Sequence, residues 1–286
     1  MTSLRGEDPG RVRITDEEVR LLQQLIHDHC GLSAGVTDGF FLERRLSSRL
    51  RELGLTRFTD YYHVLRFDAA GEDELDDFVE RITTHETYFF REQFQLDGFC
   101  DRVLPALVDR LSARRSLAFW SAGCSTGEEA YTIAMLAREQ RALDDWAVRV
   151  IGTDLSRKVL AAARAGVYGP SSFRTTRPAL RRRYFEPVPA GSRVCEPIRK
   201  LCSFRQLNLI READYAAIGP VDAIFCRNVL MYLSGAARNQ IIESFYDRLA
   251  PGGYLLLGHS ESLLSTATRF EHVHLEKDLV YRRPLV

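Results

Sequence analysis

The first eighty residues repeat apolar positions at helical spacing. Val19, Leu22, Leu25 and Ile26 recur at steps of three and four, which puts them on one face of an α-helix. Thr15 stands ahead of that run with Glu18 three residues on, the pattern of a capping box, so a first helix is predicted to start there. Leu42, Leu46, Leu50 and Leu53 form a second stripe, predicting a helix over 40–53 that Gly54 ends. Two more helices are predicted over 58–67 and 73–83, with no alternating strand pattern between them. Residues 1–14 are polar and carry Gly6, Pro9 and Gly10, so a disordered tail is expected there. Residues 15–85 should form a small all-helical domain.

The period changes from Leu117 onward. Short apolar, β-rich runs over 117–121, 148–153, 203–206, 221–226 and 254–258 are separated by helical patterns over 128–141, 156–165 and 236–249. Alternating elements of this kind predict an α/β fold with a doubly wound parallel sheet across residues 86–286. Two last runs, 270–275 and 279–283, flank Glu276-Lys277-Asp278 and predict an edge hairpin. No internal repeat or low-complexity segment is present.

Composition narrows the classes. With 286 residues, 45% hydrophobic and 27% charged, the chain can bury a core and suits one large domain or two smaller ones. Lys plus Arg equals Asp plus Glu, 39 each, so no global field draws it to nucleic acid or an anionic membrane, and any basic surface must be local. No secretory pattern opens the sequence, and no apolar run reaches the roughly 18 residues that span a bilayer. A cytoplasmic protein without membrane insertion is expected. Cys30, Cys100, Cys124, Cys195, Cys202 and Cys226 form no Cys-x-x-Cys pair, so reduced thiols and no metal site are expected.

In an open α/β sheet the ligand sits beyond the carboxyl ends of the strands. The first such loop is Ala122-Gly123-Cys124-Ser125-Thr126-Gly127, running into Glu128-Glu129. Gly123 lets the backbone approach a ligand, but the spacing is neither the dinucleotide nor the phosphate-loop pattern. Two carboxylates at the helix start would repel a pyrophosphate and favour a cationic ligand such as S-adenosylmethionine; both could instead merely complement the helix dipole. Asp154, ending the second run, can accept the hydroxyls of an adenosyl ribose or cap the next helix, a task for which Ser156 is better placed. Asn208 follows the third run and would reach the adenine side. Arg227-Asn228 directly after an apolar strand is costly without polar partners. Between the blocks, Thr83 to Arg91 sets aromatic Tyr88, Phe89 and Phe90 beside Arg91, a cation held against an apolar wall or simply an aromatic linker. On the second helix Arg44, Arg45, Arg49 and Arg51 flank the leucine stripe, as a solvated face or as a dock for an acidic helical partner.

Together these motifs resemble the chemotaxis protein methyltransferase (CheR) family. Thr84-His85-Glu86-Thr87-Tyr88-Phe89-Phe90-Arg91 is similar to its hallmark segment, and Trp120 to Tyr131 to its cofactor loop. Thr153-Asp154-Leu155-Ser156, Phe225 to Tyr232 and Leu257-Gly258-His259-Ser260-Glu261 match in order and spacing. The resemblance, covering nearly the whole chain from Thr15, implies a Rossmann-like class I methyltransferase sheet and an N-terminal domain that docks on the helical cytoplasmic part of methyl-accepting chemotaxis receptors. It further implies methyl transfer from S-adenosylmethionine to receptor glutamates, giving S-adenosylhomocysteine, in an enzyme recruited to membrane receptor arrays; a monomer is expected. By resemblance, His85, Thr87, Arg91, Glu129, Asp154, Asn208, Leu209, Arg227 and Asn228 would bind the cofactor, with Arg91 and Tyr232 facing the reacting centre. The family usually carries Asn at the position of His85, where a neutral imidazole still donates one hydrogen bond. Residues 186–204 match the family's inserted β-subdomain. It is short, and Val188-Pro189-Ala190-Gly191-Ser192 lacks a glycine-rich turn, so no strong grip on a receptor tail peptide is expected. The rival readings are a non-catalytic S-adenosylmethionine-binding module and a nucleic-acid methyltransferase. Arg91 and Tyr232 speak against the first. Arg227-Asn228-Val229-Leu230, in place of a Pro-Pro-aromatic loop, and neutral charge speak against the second.

Overall fold

The computed structural model describes residues 12–68, 71–264 and 266–285, and divides into two compact units. One comprises the described residues up to Thr84 with Tyr232–Ala237, the other His85–Met231 and Arg238 onward. Most of the tail expected over 1–14 lies outside the described residues. Of its end, Ile14 donates its N–H to Glu43 Oε1 at 2.9 Å.

The helical unit is built from α1 (Asp16–Cys30), α2 (Gly39–Glu52), α3 (Phe58–Phe67) and α4 (Gly71–Ile82). The Thr15 hydroxyl accepts from Glu18 N, and the Glu18 carboxylate accepts from Thr15 N, closing the capping box. Glu18 also accepts from Thr59 N at 2.8 Å, so one carboxylate caps α1 and ties α3 to it. Leu22, Ile26, Leu42, Leu46, Leu50, Phe58 and Phe78 are fully buried and form the unit's core. Leu32 and Leu233 form an antiparallel bridge, and Ser33 N donates to the Tyr232 carbonyl at 2.9 Å; these bonds bring a late stretch of sequence into this unit.

The second unit opens with α5 (Gln93–Gly98), a π-type turn (Phe99–Val103) and α6 (Leu104–Arg110). It continues with β1 (Ser116–Ala122), α7 (Glu128–Glu139), β2 (Ala147–Asp154), α8 (Arg157–Ala165), β3 (Val167–Tyr168), α9 (Pro178–Tyr184), β4 (Phe185–Val188), β5 (Gly191–Val194), α10 (Glu196–Arg199) and β6 (Cys202–Gln206). After these come β7 (Val221–Cys226), α11 (Gly235–Arg248), β8 (Leu249–Leu257), β9 (Glu271–His274) and β10 (Leu279–Arg282). The main sheet has seven strands in the order β6-β2-β1-β7-β8-β10-β9. Strands β6 to β8 pair in parallel, and β10 pairs antiparallel with both neighbours. Every residue of β7 and all but the first of β1 are buried, as expected of central strands covered on both faces. Strand order reverses between β1 and β7, which makes their carboxyl ends a topological switch point.

Two sequence expectations are corrected. The inserted subdomain is the three-stranded sheet β3-β5-β4. It begins at Val167 rather than 186, because Val167 and Tyr168 pair with Arg193 and Ser192. It ends at Val194, since residues 202–206 are the edge strand of the main sheet beside β2. Strand β8 starts at Leu249 rather than Tyr254. The pairing with β7 skips residues 250–253, stepping from Val221–Leu249 to Ala223–Tyr254, an irregularity of the bulge kind. Among the described residues no helix is long and apolar enough to cross a membrane, and no group of three or more His, Cys, Asp or Glu side chains is placed to hold a metal ion.

Candidate functional site

The loops after β1, β2, β7 and β8 converge at the switch point through hydrogen bonds to backbone. Gly123 N and Cys124 N both donate to the Thr153 carbonyl at 2.8 Å, which folds the loop after β1 over the end of β2. Gly123 has φ +76°, and a Cβ there would stand 2.5 Å from Val229 Cγ2. The position thus demands glycine on two counts, conformation and space. Ser125, itself at φ +50°, donates its N–H to Asp154 Oδ2 at 2.8 Å, while Ser156 N donates to Oδ1 at 3.0 Å. The Ser156 hydroxyl accepts from Val159 N at the start of α8, so Ser156 is the helix cap and Asp154 braces the loop instead.

Glu128 and Glu129 part company. Both oxygens of Glu128 are taken, by Thr126 Oγ1 at 2.6 Å and Ser172 Oγ at 2.9 Å, and the side chain is buried. Glu129 accepts from Ser121 Oγ at 2.7 Å and Arg227 Nη1 at 3.3 Å, with 14% of its side-chain surface exposed. Burial pushes the Glu129 carboxyl up, against the pull of Arg227 and Ser121. Burial likewise raises Asp154, opposed by the N–H groups of Ser156 and Ser125 and by the field of His85. Each carboxylate therefore gains from a cation or a hydrogen-bond donor at its free edge.

Arg227 does not lie open to a ligand. Its side chain is 3% exposed. Nε donates to Gln95 Oε1 at 3.0 Å, and Nη2 to the Arg91 carbonyl at 2.7 Å and Glu92 Oε2 at 3.1 Å. It works as a buried hub that fixes Glu129 and the end of the hallmark segment. Asn228 sits at φ +60°, donates Nδ2 to Glu92 Oε1 at 3.4 Å, and has a buried Oδ1 with no hydrogen-bond partner among the described residues. Glu261 holds this geometry: its carboxylate accepts from Asn228 N at 2.7 Å, Gly258 N at 2.8 Å and Met231 N at 3.0 Å. Burial acts to raise Glu92, but Arg227, the His259 N–H, Asn228 and Arg91 outweigh it and hold that carboxyl below its ordinary value.

Arg91 donates Nη1 to the Glu86 carbonyl at 2.9 Å, has Nε 3.9 Å from Glu92 Oε1, and lies 5.7 Å from the Tyr88 ring centroid. Phe89 and Phe90 turn inward and are buried. The His85 carbonyl accepts from Ser125 Oγ at 3.3 Å. Thr87 is partly buried in the same segment. Asn208, buried after β6, accepts from Ile210 N at 3.2 Å and donates its own N–H to Asp214; the Leu209 carbonyl takes the Tyr215 hydroxyl at 2.7 Å. Hydrogen bonds thus link His85, Arg91, Glu129, Asp154, Arg227 and Asn228 into one edge of the sheet, with Gly123 in the same loop, while Asn208 and Leu209 stand on the neighbouring strand end. Tyr232 falls in the segment grouped with the helical unit.

Sequence reasoning passed over Glu92, Gln95 and Val229. Gln95 bridges Arg227, the Leu257 carbonyl and Asp278 Oδ2, a role that only the tertiary fold reveals.

On α2 the four arginines differ. Arg44 and Arg51 are exposed, and Arg45 lies over the Phe41 ring at 5.4 Å. Arg49 is consumed inside the unit. It meets Glu74 at 2.6 Å, Glu52 at 3.0 Å and Asp77 at 3.2 Å, and Glu74 is further held by the Tyr61 hydroxyl. These pairs make it an internal tie between α2 and α4.

The acceptor groups at the sheet edge fit S-adenosylmethionine. Glu129, Asp154 and the unpartnered Asn228 Oδ1 are all acceptors, suited to an ammonium, a sulfonium and ribose hydroxyls, and Gly123 offers bare backbone. Sheet order and site define a Rossmann-like methyltransferase. Residues 85–279 match the model described as CheR methyltransferase, SAM binding domain, and 17–83 that of the CheR methyltransferase, all-alpha domain. The chain belongs to the CheR methyltransferase family. It is 33% identical to Chemotaxis protein methyltransferase 2 of Vibrio cholerae over 96% of each chain. It is also 33% identical to Chemotaxis protein methyltransferase of Borreliella burgdorferi, covering 88% of this chain and 90% of that one. Against Chemotaxis protein methyltransferase 2 of Pseudomonas aeruginosa identity is 35%, covering 87% and 88%.

Proposed function

We propose that this enzyme methylates glutamate side chains in the helical cytoplasmic part of chemotaxis receptors, leaving glutamate methyl esters and S-adenosylhomocysteine. The named relatives support the receptor substrate. The observation that carries the chemistry is Arg91, a partly exposed guanidinium fixed by the Glu86 carbonyl beside Glu92. Bound S-adenosylmethionine supplies an electrophilic methyl on a sulfonium. A glutamate acceptor is already an anion at neutral pH, with a reference pKa of about 4.3, so no residue need remove a proton. What the chain supplies is alignment and exclusion of water. In this reading Arg91 steers the acceptor carboxylate, and Tyr232 holds one of its oxygens. Glu129, Asp154, Asn228, Thr87, His85, Asn208 and Leu209 bind the cofactor, and Arg227 fixes Glu129. Arg44, Arg45 and Arg51 of the helical unit meet the acidic receptor helices, from a cytoplasmic enzyme acting at receptor arrays.

Radiolabelled methyl from S-adenosylmethionine should appear on receptor cytoplasmic fragments as label released by mild alkali, which cleaves carboxyl esters and spares methyl–nitrogen bonds. Arg91→Lys should lower turnover by about a hundredfold, the cost of a misplaced group of this kind, while cofactor affinity changes far less. Alkali-stable label, or normal turnover in the variant, would defeat the reading.

A further inference from the structure

The chain as a whole is neutral, yet its charge is unevenly placed. From Arg164 to Arg211, both included, stand eleven Lys and Arg residues against two acids, Glu186 and Glu196. This stretch builds the small sheet β3-β5-β4, helices α9 and α10, and edge strand β6. Six arginines on its first part, Arg174, Arg177, Arg181, Arg182, Arg183 and Arg193, are all exposed. Two of them are neutralised, Arg174 by Glu86 at 2.8 Å and Arg183 by Glu139 at 3.0 Å. Arg181 lies over the Phe173 ring at 4.3 Å and donates to Ser192 Oγ at 3.3 Å, which joins α9 to the small sheet. Glu186 faces Arg193 in the β4–β5 register, and Glu196 pairs with Lys200 at 2.8 Å. Arg177, Arg181, Arg182 and Arg193 have no ion pair among the described residues.

The surface has charge without anchors. Among the described residues the large exposed apolar side chains, Phe40, Leu53, Phe67, Met231, Leu264 and Leu285, all lie elsewhere. A specific protein interface draws its energy from aromatic or aliphatic anchors in desolvated pockets, whereas an anionic bilayer attracts basic side chains by charge alone. Guanidinium groups also match phosphate oxygens in paired hydrogen bonds. We propose that the arginine-rich lobe formed by α9 and the small sheet adsorbs to the surface of an anionic phospholipid bilayer, without insertion. The inference goes beyond the proposed receptor methylation and stands without it. Where both hold, adsorption confines the enzyme's search for its substrate to the plane of the membrane.

The test is sedimentation of the full-length protein with vesicles of phosphatidylcholine alone or of equimolar phosphatidylcholine and phosphatidylglycerol. Pelleting is expected with the mixed vesicles only, and is lost at high salt as charge attraction is screened. R177E/R182E/R193E should weaken partitioning on the order of a hundredfold, from the contribution of each basic residue near such a surface. R20E/R66E/R102E, an equal charge change on other exposed arginines, should pellet like the parent. Unchanged cofactor binding in both variants verifies folding. No pelleting at low salt, equal pelleting with neutral vesicles, or equal loss in both variants overturns the proposal. It is also overturned if the lobe variant loses affinity for polyglutamate or single-stranded RNA while vesicle binding stays intact. No receptor or methyl transfer enters the assay, so its failure is distinct from failure of the methylation reading.

Discussion

Gly123 concentrates at one residue what the cofactor loop requires. Gly123→Ala places a methyl group 2.5 Å from Val229 Cγ2 on a backbone at φ +76°. Calorimetry should show weaker S-adenosylmethionine binding, and adding Val229→Ala should restore the share due to the clash while leaving the left-handed backbone cost of about 1 kcal/mol. Binding should also depend on pH through Glu129 and Asp154. Because burial raises both, the free protein keeps protons on them at a pH where exposed carboxylates have lost theirs. Their contribution to the stability of the free protein is therefore present below the unfolded values and falls as pH rises through the folded ones. A cationic ligand favours the ionised forms, so affinity should fall as pH drops through that window. Titrations just above the ordinary carboxylate range, in buffers of different ionisation enthalpy, should record protons released on binding. The placing of Gly123, Glu129, Asp154 and Asn228 at the sheet edge was legible because each ends a strand, follows one within two residues or lies in the first turn of the helix after one. The place of Arg227 at that edge was legible but its role as a buried hub was not, since its partners Glu92 and Gln95 lie more than 130 positions away.

At the scale of elements, α2 separates two kinds of arginine. Arg49→Ala should lower stability by about 2 kcal/mol in denaturant unfolding, because Glu74, 7% exposed, loses the guanidinium that neutralises it. Arg44→Glu with Arg51→Glu should leave stability unchanged and slow methylation of receptor fragments, an effect that added salt would blunt in the parent. Leucine spacing could predict the helix but not this division, since Arg49 and Arg51 are equivalent until α4 brings Glu74 and Asp77 to one of them. The helical run over 93–110 went unread because Pro105 interrupts it. The fold accommodates that proline with a widened turn: Leu104 N donates to the Phe99 carbonyl, five residues back, just before the residue that has no N–H to give. Strand β7 was legible to the residue because a strand buried on both faces is apolar at nearly every position; its one charged residue, Asp222, is buried and held by Ala118 N and Arg114.

For the molecule as a whole, the small sheet offers a further check. Strands β4 and β5 are joined by a two-residue turn, Pro189-Ala190, with Val188 opposite Gly191. At Gly191 a Cβ would lie 2.3 Å from the Tyr168 carbonyl oxygen, so its glycine serves internal packing. Isolated receptor tail peptides should show no measurable binding by calorimetry, and tight binding would refute the expectation drawn from this turn. The two-unit division carries a practical consequence. Tyr232–Ala237 groups with residues before Thr84 although it follows most of the methyltransferase sequence, and Leu32 completes its pairing only with Leu233. The units are interleaved in the gene, and a truncation at residue 84 or a chimera that exchanges only the first segment with a relative would inherit half of a bridge. A modular swap of substrate preference must carry both pieces of chain from the same parent.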